Sequence, residues 1–245
     1  MVESQDIERS LQMKTTRGFV LGAGGMVLLV AASVFAAKAA PEQAHKTPPK
    51  SRPRRIHPSM KPITDTPGLP RVLLIGDSIS IGYTLATREM LKGKANLHRI
   101  PTNGGPTTRG LAELDKWLGK GKWDVIHFNW GLHDLKYLST GTGKPAVPPA
   151  KGKQAIPVEQ YAKNIEELVK RMKKTGAKLI FATTTPVPKG SGIRVVGDAK
   201  IYNDAALKVM KAYKVPVDDL YAFALPKLEE LQRPANVHFL PEGSK

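Results

Sequence analysis

Arg71-Val72-Leu73-Leu74-Ile75-Gly76-Asp77-Ser78 runs from a short, almost wholly apolar segment straight into a Gly-Asp-Ser turn. An apolar run of this kind, Arg71 to Gly76, is the pattern of a strand buried on both faces. Similar segments recur downstream: Asn96 to Ile100, Asp124 to Trp130, Lys178 to Thr184 and a short one at Val215 to Val217. Between them the apolar spacing switches to that of helices. Tyr161, Ile165, Leu168, Val169 and Met172 fall on one helical face, with Gly176 as a stop. Tyr202, Ala205, Ala206, Val209, Met210 and Tyr213 repeat the pattern, with Asp198 as the expected cap, and Leu111, Leu114 and Leu118 mark another helix. Buried strands alternating with amphipathic helices predict an α/β domain, a parallel sheet with helices on both faces. In such sheets a site forms beyond the carboxyl ends of the strands. That directs attention to the segments after Gly76, Ile100, Trp130 and Thr184.

Outside this pattern the chain reads differently. Gly18 to Ala37 carries no charge, follows Lys14 and Arg17, and ends among small residues. It reads as a secretory signal peptide, with cleavage at Val34-Phe35-Ala36 or Ala37-Lys38-Ala39; it is also long enough for a membrane anchor. Either way the rest of the chain is expected to be exported, secreted or periplasmic. Met13 is an alternative start. Pro41 to Pro70 holds eight prolines and six Lys or Arg against Glu42 and Asp65. It is expected to be a disordered linker between residues 1–40 and a domain spanning 71–245.

The 245 residues carry 38 Lys and Arg against 21 Asp and Glu, a formal charge of +17. Such a balance suits anionic surroundings, and the basic linker is a candidate tether to an envelope or matrix polymer. There is no Cys/His finger, RNP-type segment or basic heptad helix, so a nucleic-acid partner is not expected. The absence of cysteine excludes disulfides, thiolate metal sites and cysteine nucleophiles. Leu138 to Pro157, with four prolines and three glycines, reads as a long loop rimming a pocket, and Pro186 to Gly197 brings Lys189 and Arg194.

Four blocks carry chemistry. Gly76-Asp77-Ser78 would expose a serine hydroxyl at a strand-to-helix turn, beside helix N-terminal N–H groups; the alternative is that Ser78 only caps the helix. Asn103-Gly104-Gly105-Pro106-Thr107-Thr108-Arg109-Gly110 offers glycines that let backbone N–H groups approach a reacting centre. Gly131-Leu132-His133-Asp134 follows the third strand, and Val237-His238-Phe239-Leu240-Pro241-Glu242-Gly243 lies near the C-terminus. Trp130 and Arg109 are placed to touch a substrate, or else belong to the core and to a helix surface. His127 lies within a strand and reads as a hydrogen-bonded histidine, and neither metal nor cofactor is expected.

Together, in this order, the blocks resemble the SGNH hydrolases, the GDSL esterase/lipase superfamily, over roughly Arg71 to Lys245. The resemblance implies a flavodoxin-like three-layer α/β/α fold with a mostly five-stranded parallel sheet. It also implies ester hydrolysis through a serine acyl-enzyme. Ser78 matches the family's nucleophile, His238 its base, and Ser78, Gly105 and His133 the oxyanion hole; Asp134, Arg109 and Trp130 are candidate substrate contacts. Two positions depart from the family pattern. His133 stands where an Asn donor is usual. Ala235 stands where an acid usually orients the base, so a backbone carbonyl or a remote acid (Asp134, Asp218 or Asp219) is expected to take that role. The family also continues past this Pro-Glu-Gly turn into a closing helix, without which the sheet face beneath would be partly exposed. The expected substrate is a small-molecule or polysaccharide ester, with a carbohydrate O-acetyl ester fitting at least as well as a lipid. The departures at His133 and Ala235 motivate the alternative, a carbohydrate- or envelope-binding protein that has lost turnover. A nucleotide-binding flavodoxin-like protein is disfavoured, because no phosphate-cradling G-x-G-x-x-G follows the first strand.

Overall fold

The computed structural model describes residues 56–245. In chain order the elements are β1 (Arg71–Ile75), α1 (Ser78–Met90), β2 (Asn96–Arg99), α2 (Thr107–Leu118), β3 (Val125–Phe128), β4 (Tyr137–Leu138), β5 (Lys153–Gln154), α3 (Val158–Lys173), β6 (Lys178–Ala182), α4 (Asp198–Tyr213), β7 (Val217–Asp218), α5 (Leu220–Ala224) and α6 (Leu228–Leu231). β2, β1, β3, β6 and β7 form, in that order, a five-stranded parallel sheet. Side chains alternate across it. Leu73, Ile75, Ile126, Phe128, Leu179 and Phe181 point to one face, where α2, α3 and α4 cover them. The predicted helical faces do this work: Tyr161, Ile165, Leu168 and Met172 of α3 and Tyr202, Ala206 and Met210 of α4 are all buried. Each large apolar side chain so buried contributes roughly 1.5–3 kcal/mol before entropy is counted. α1 and the short α5 lie on the other face. The fold is therefore the three-layer α/β/α arrangement expected.

That second face is incompletely covered by the described residues. A cavity of about 490 Å³ opens there over Val72, Leu74, Val125 and Ile180, between α1 and α5. The strand order places the active crevice. β1 has β2 on one side and β3 on the other, so the chain reverses its winding between β1 and β3. Loops leaving their carboxyl ends splay apart at that point and open a crevice.

Several expectations need correction. The last strand is Val217–Asp218; Val215 sits in the core instead, because its side chain closes the apolar cluster beneath α4. Asp198 is the first helical residue of α4 rather than its cap, which is Gly197; its carboxylate accepts a hydrogen bond from Gln154. The Pro-rich linker does not extend to Pro70. Asn96 clamps the backbone of Thr66 and Leu69, and Asp65 pairs with Arg71 and His98, so this segment packs on the domain. The loop from Leu138 to Pro157 is not structureless: β4 and β5 pair antiparallel across it. The apolar leader and the linker up to residue 55 lie outside the described residues. No helix among the described residues is long and apolar enough to cross a membrane.

Candidate active site

The turn that carries Ser78 is assembled from below. Gly76 ends β1, and Asp77 caps α1 by accepting a hydrogen bond from the Ile79 N–H at 2.9 Å. The cap is thus Asp77, and Ser78 stands at the first helical position with its hydroxyl available. Arg99, at the end of β2, is almost wholly buried behind this turn. Its guanidinium donates to the carbonyls of Gly76 and Asp77 and to Ser80 Oγ, and further to those of Ile100 and Thr102. Burial pulls the Arg99 pKa down to about 10, which leaves it charged at neutral pH. The second block closes on the same turn: Gly104 N–H donates to the Gly76 carbonyl at 2.9 Å. A Cβ at Gly104 would lie 2.9 Å from that oxygen, so only glycine allows this approach.

His238 arrives from the other end of the chain. His238 Nε2 lies 2.8 Å from Ser78 Oγ, across 160 residues of sequence. His238 Nδ1 lies 2.7 Å from Asn236 Oδ1. The His238 backbone N–H donates to that same Asn236 atom at 3.0 Å. A backbone N–H can only donate, so the Asn236 atom is the amide oxygen. The proton of His238 therefore sits on Nδ1, and the Nε2 lone pair faces the serine hydroxyl. Neither a backbone carbonyl nor a remote acid orients this ring. Asp218 instead pairs with His127, Asp219 accepts from Thr183 and caps α5, and Asp134 is committed to Thr107. Ala235, at the position of the missing acid, adopts φ +53°. This left-handed residue turns the chain so that the next side chain, Asn236, reaches the imidazole. An Asn side chain that accepts the backbone N–H two residues on forms an Asx turn, and here the same oxygen also takes the ring N–H of His238.

The oxyanion side differs from expectation. The Ser78 N–H is one of the unsatisfied donors at the start of α1. The Gly105 N–H, by contrast, already donates to Asn103 Oδ1 at 2.9 Å, in an Asx turn that starts two residues earlier. His133 is half-buried. Burial pushes its pKa below the usual histidine value, Lys136, Arg194 and His238 push the same way, and only the Asp77 carboxylate opposes them. His133 is thus neutral at pH 7, with one N–H to offer. His238 is likewise lowered, first by burial and then by Arg233 and Arg194, with Asp77 again opposing. A neutral imidazole is the form a general base requires. Arg194 donates to the Leu132 carbonyl and brings positive charge to this cluster.

Two of the three expected substrate contacts are packed inside, and the third lies on a helix surface. Trp130 is buried under Gly110 of α2, whose missing side chain makes room for the indole. Asp134 is wholly buried; its Oδ1 accepts from Thr107 N and Thr107 Oγ1 at 2.8 and 2.5 Å, tying the third block to the start of α2. Burial raises the Asp134 pKa to about 7 against those two bonds. Arg109 is exposed on α2 beside Gly105 and donates to Thr102 Oγ1. Arg99 and Asn236, which sequence reasoning did not assign, complete the cluster.

A groove of about 810 Å³ contains Ser78 and His238 in its wall. No protein-family model matches the sequence, and no curated protein is similar to it. Among solved structures, the chain resembles an acetyl xylan esterase at 18% identity and TM-score 0.57, covering 71% of this chain and 93% of that one. It also resembles a lipase/acylhydrolase from Enterococcus faecalis at 21% identity and TM-score 0.57, covering 72% and 90%. An acetylxylan esterase from Geobacillus stearothermophilus is similar at 14% identity and TM-score 0.55, covering 71% and 89%. At these identities the likeness is one of architecture alone: the chain shares the three-layer α/β/α fold of these esterase and acylhydrolase structures.

Proposed function

We infer that this protein hydrolyses carboxylic esters through a serine acyl-enzyme. The observation that carries the reading is the Ser78 Oγ to His238 Nε2 contact, with the tautomer of His238 fixed by Asn236. His238 Nε2 takes the hydroxyl proton as Ser78 Oγ attacks the ester carbonyl. The developing oxyanion is met by the Ser78 N–H and the neutral His133 ring. Collapse expels the alcohol, which leaves with the proton from His238. Water then gives its proton to the same nitrogen and attacks the acyl-enzyme, and collapse releases the acid as that proton returns to Ser78 Oγ. Asn236 plays the part of the Asn in cysteine-protease Cys-His-Asn sites: it orients the base without adding charge.

Two of the similar structures are named for acetyl xylan, which supports an O-acetyl carbohydrate ester as one substrate of this site. Export is part of the same reading, supported by the basic flank and apolar run ending near Ala37. The basic segment before residue 56 supports retention at an anionic polymer. The test is hydrolysis of p-nitrophenyl acetate by the full chain and by Ser78→Ala. Turnover lost with the hydroxyl supports the assignment; turnover retained by Ser78→Ala rejects it. A binding protein without turnover is the second reading, favoured by the Gly105 amide already engaged by Asn103. It is distinguished by binding of acetylated glycan with p-nitrophenyl acetate left intact.

A further inference from the structure

Three cations, Lys136, Arg194 and Arg233, bear on the imidazoles of His133 and His238. The loop 186–197 brings the first two together. Its Arg194 Nε donates to the Leu132 carbonyl at 2.9 Å, next to His133. Its Gly190 abuts the turn that carries His238, where an added Cβ would lie 2.9 Å from the Ala235 Cβ. The Tyr137 N–H donates to the Ile193 carbonyl at 2.8 Å, which sets Lys136 beside the same loop. Arg233 comes from the C-terminal side. Its N–H donates to the His238 carbonyl at 2.9 Å, and it lines the groove that holds Ser78 and His238. None of the three enters an ion pair among the described residues, whereas Arg71 and Arg171 each hold a carboxylate. Arg194 is half-buried, and beyond its Nε bond the guanidinium has no hydrogen-bond partner among the described residues. Burial holds the Arg194 pKa below the usual arginine value, and only the Asp77 carboxylate opposes. Asp77 is itself buried as the cap of α1. A half-buried guanidinium without a paired acid lacks its counter-charge, and a planar anion across the two Nη groups supplies it.

We propose that Arg194 and Arg233, supported by Lys136, bind a carboxylate on the alcohol portion of the ester, so that the substrate is an acyl ester of an acidic alcohol, of the kind an O-acetylated uronic-acid glycan presents. This rests on the serine-esterase reading above and names its substrate class. Two observations place the anion on the alcohol. His238 hands its proton to the leaving alcohol, so the alcohol lies on the imidazole side of Ser78, where Arg233 lines the groove. An acetyl group, for its part, carries no charge. Negative charge in the transition state builds at the Ser78 N–H and His133, away from this carboxylate, so the cations act on capture of the substrate. The formal charge of +17 on the whole chain favours encounter with a polyanion in the same sense.

The experiment compares kcat/KM of the full chain on p-acetoxybenzoate and p-acetoxybenzamide, which differ by a charge on the alcohol portion. A second pair, the mono-p-nitrophenyl ester of adipic acid and p-nitrophenyl hexanoate, differs by a charge on the acyl portion. At about 0.02 M salt p-acetoxybenzoate is expected to react about tenfold faster than the amide, and the preference should fall towards parity at about 0.5 M, where charges are screened within a few ångströms. Arg194→Gln and Arg233→Gln should each cut the preference about threefold, and Arg194→Lys should retain its salt dependence. A wild-type ratio of one or less at low salt, or cleavage of neither acetoxy ester, overturns the subsite. Cleavage of p-nitrophenyl acetate then still upholds the esterase reading. A preference confined to the adipate, or one that survives both Gln variants, overturns the subsite as well. The wild-type ratio and its salt dependence decide the question even where a variant fails to fold. Cleavage of no ester, with Ser78 inert to a fluorophosphonate, overturns the subsite and the esterase reading together.

Discussion

Ser78 and His238 touch, yet the two halves of the pair are held in opposite ways. The turn that carries Ser78 is embedded: a strand end, a buried arginine, a helix cap and a glycine contact fix it from several directions. His238 rides on a short local turn. Asn236 Oδ1 serves both the His238 backbone and its ring, and Gln232 beneath donates to the carbonyls of Pro186 and Val237. The contrast teaches that the fold supplies the serine, whereas one left-handed residue and one amide supply the histidine.

The largest expected effect tests whether the embedded half needs its hydroxyl at all for folding. Ser78→Ala should cut turnover by about 10⁴-fold or more. Thermal unfolding should be nearly unchanged, since Asp77 and not Ser78 caps α1. Next comes the local half. Asn236→Ala frees the ring, and an expected loss of roughly 10- to 100-fold in kcat at constant stability would sharpen the contrast. Asn236→Asp keeps the acceptor and adds a charge beside the imidazolium, so turnover should rise about tenfold or more. Ala235→Asp should bring no comparable gain, because Asn236 already occupies Nδ1. Equal responses at 235 and 236 would mean that the ring is held by neither.

A smaller effect probes the buried scaffold. Asp134→Ala strands the Thr107 N–H and hydroxyl, and denaturant unfolding should register a loss of about 1–3 kcal/mol. The smallest effect is in pH. The base works only when unprotonated, and burial holds His238 below the usual value of 6.5. The acid limb of kcat/KM should therefore fall below pH 6.5, and Asn236→Asp should move it upward. The same sign governs stability: a histidine kept neutral by burial contributes above its unfolded pKa and is lost as pH falls through the folded one.

How much of this was legible beforehand follows the same division. The embedded half could be read, because Val72 to Ile75 and the helical faces of α3 and α4 are long-range burial patterns that periodicity records. Arg99 carries no such signal, because a charge at a strand end reads as surface. Only the folded chain shows it buried under the turn after β1. Trp130 and Asp134 stood beside the third block in sequence and were expected at the substrate. Packing sent them inward instead, one under Gly110 and one onto Thr107. The local half failed for a different reason. The family pattern places an acid three residues before His238, whereas the ring is held by an Asx turn that starts two residues before it.

The most direct measurement is covalent labelling of the intact protein with a fluorophosphonate, followed by mass spectrometry to locate the adduct. The expected result is a single modified residue, Ser78, with labelling abolished in Ser78→Ala and strongly slowed in His238→Ala. A folded protein that takes up no label, or takes it at another serine, would contradict an imidazole-activated Ser78.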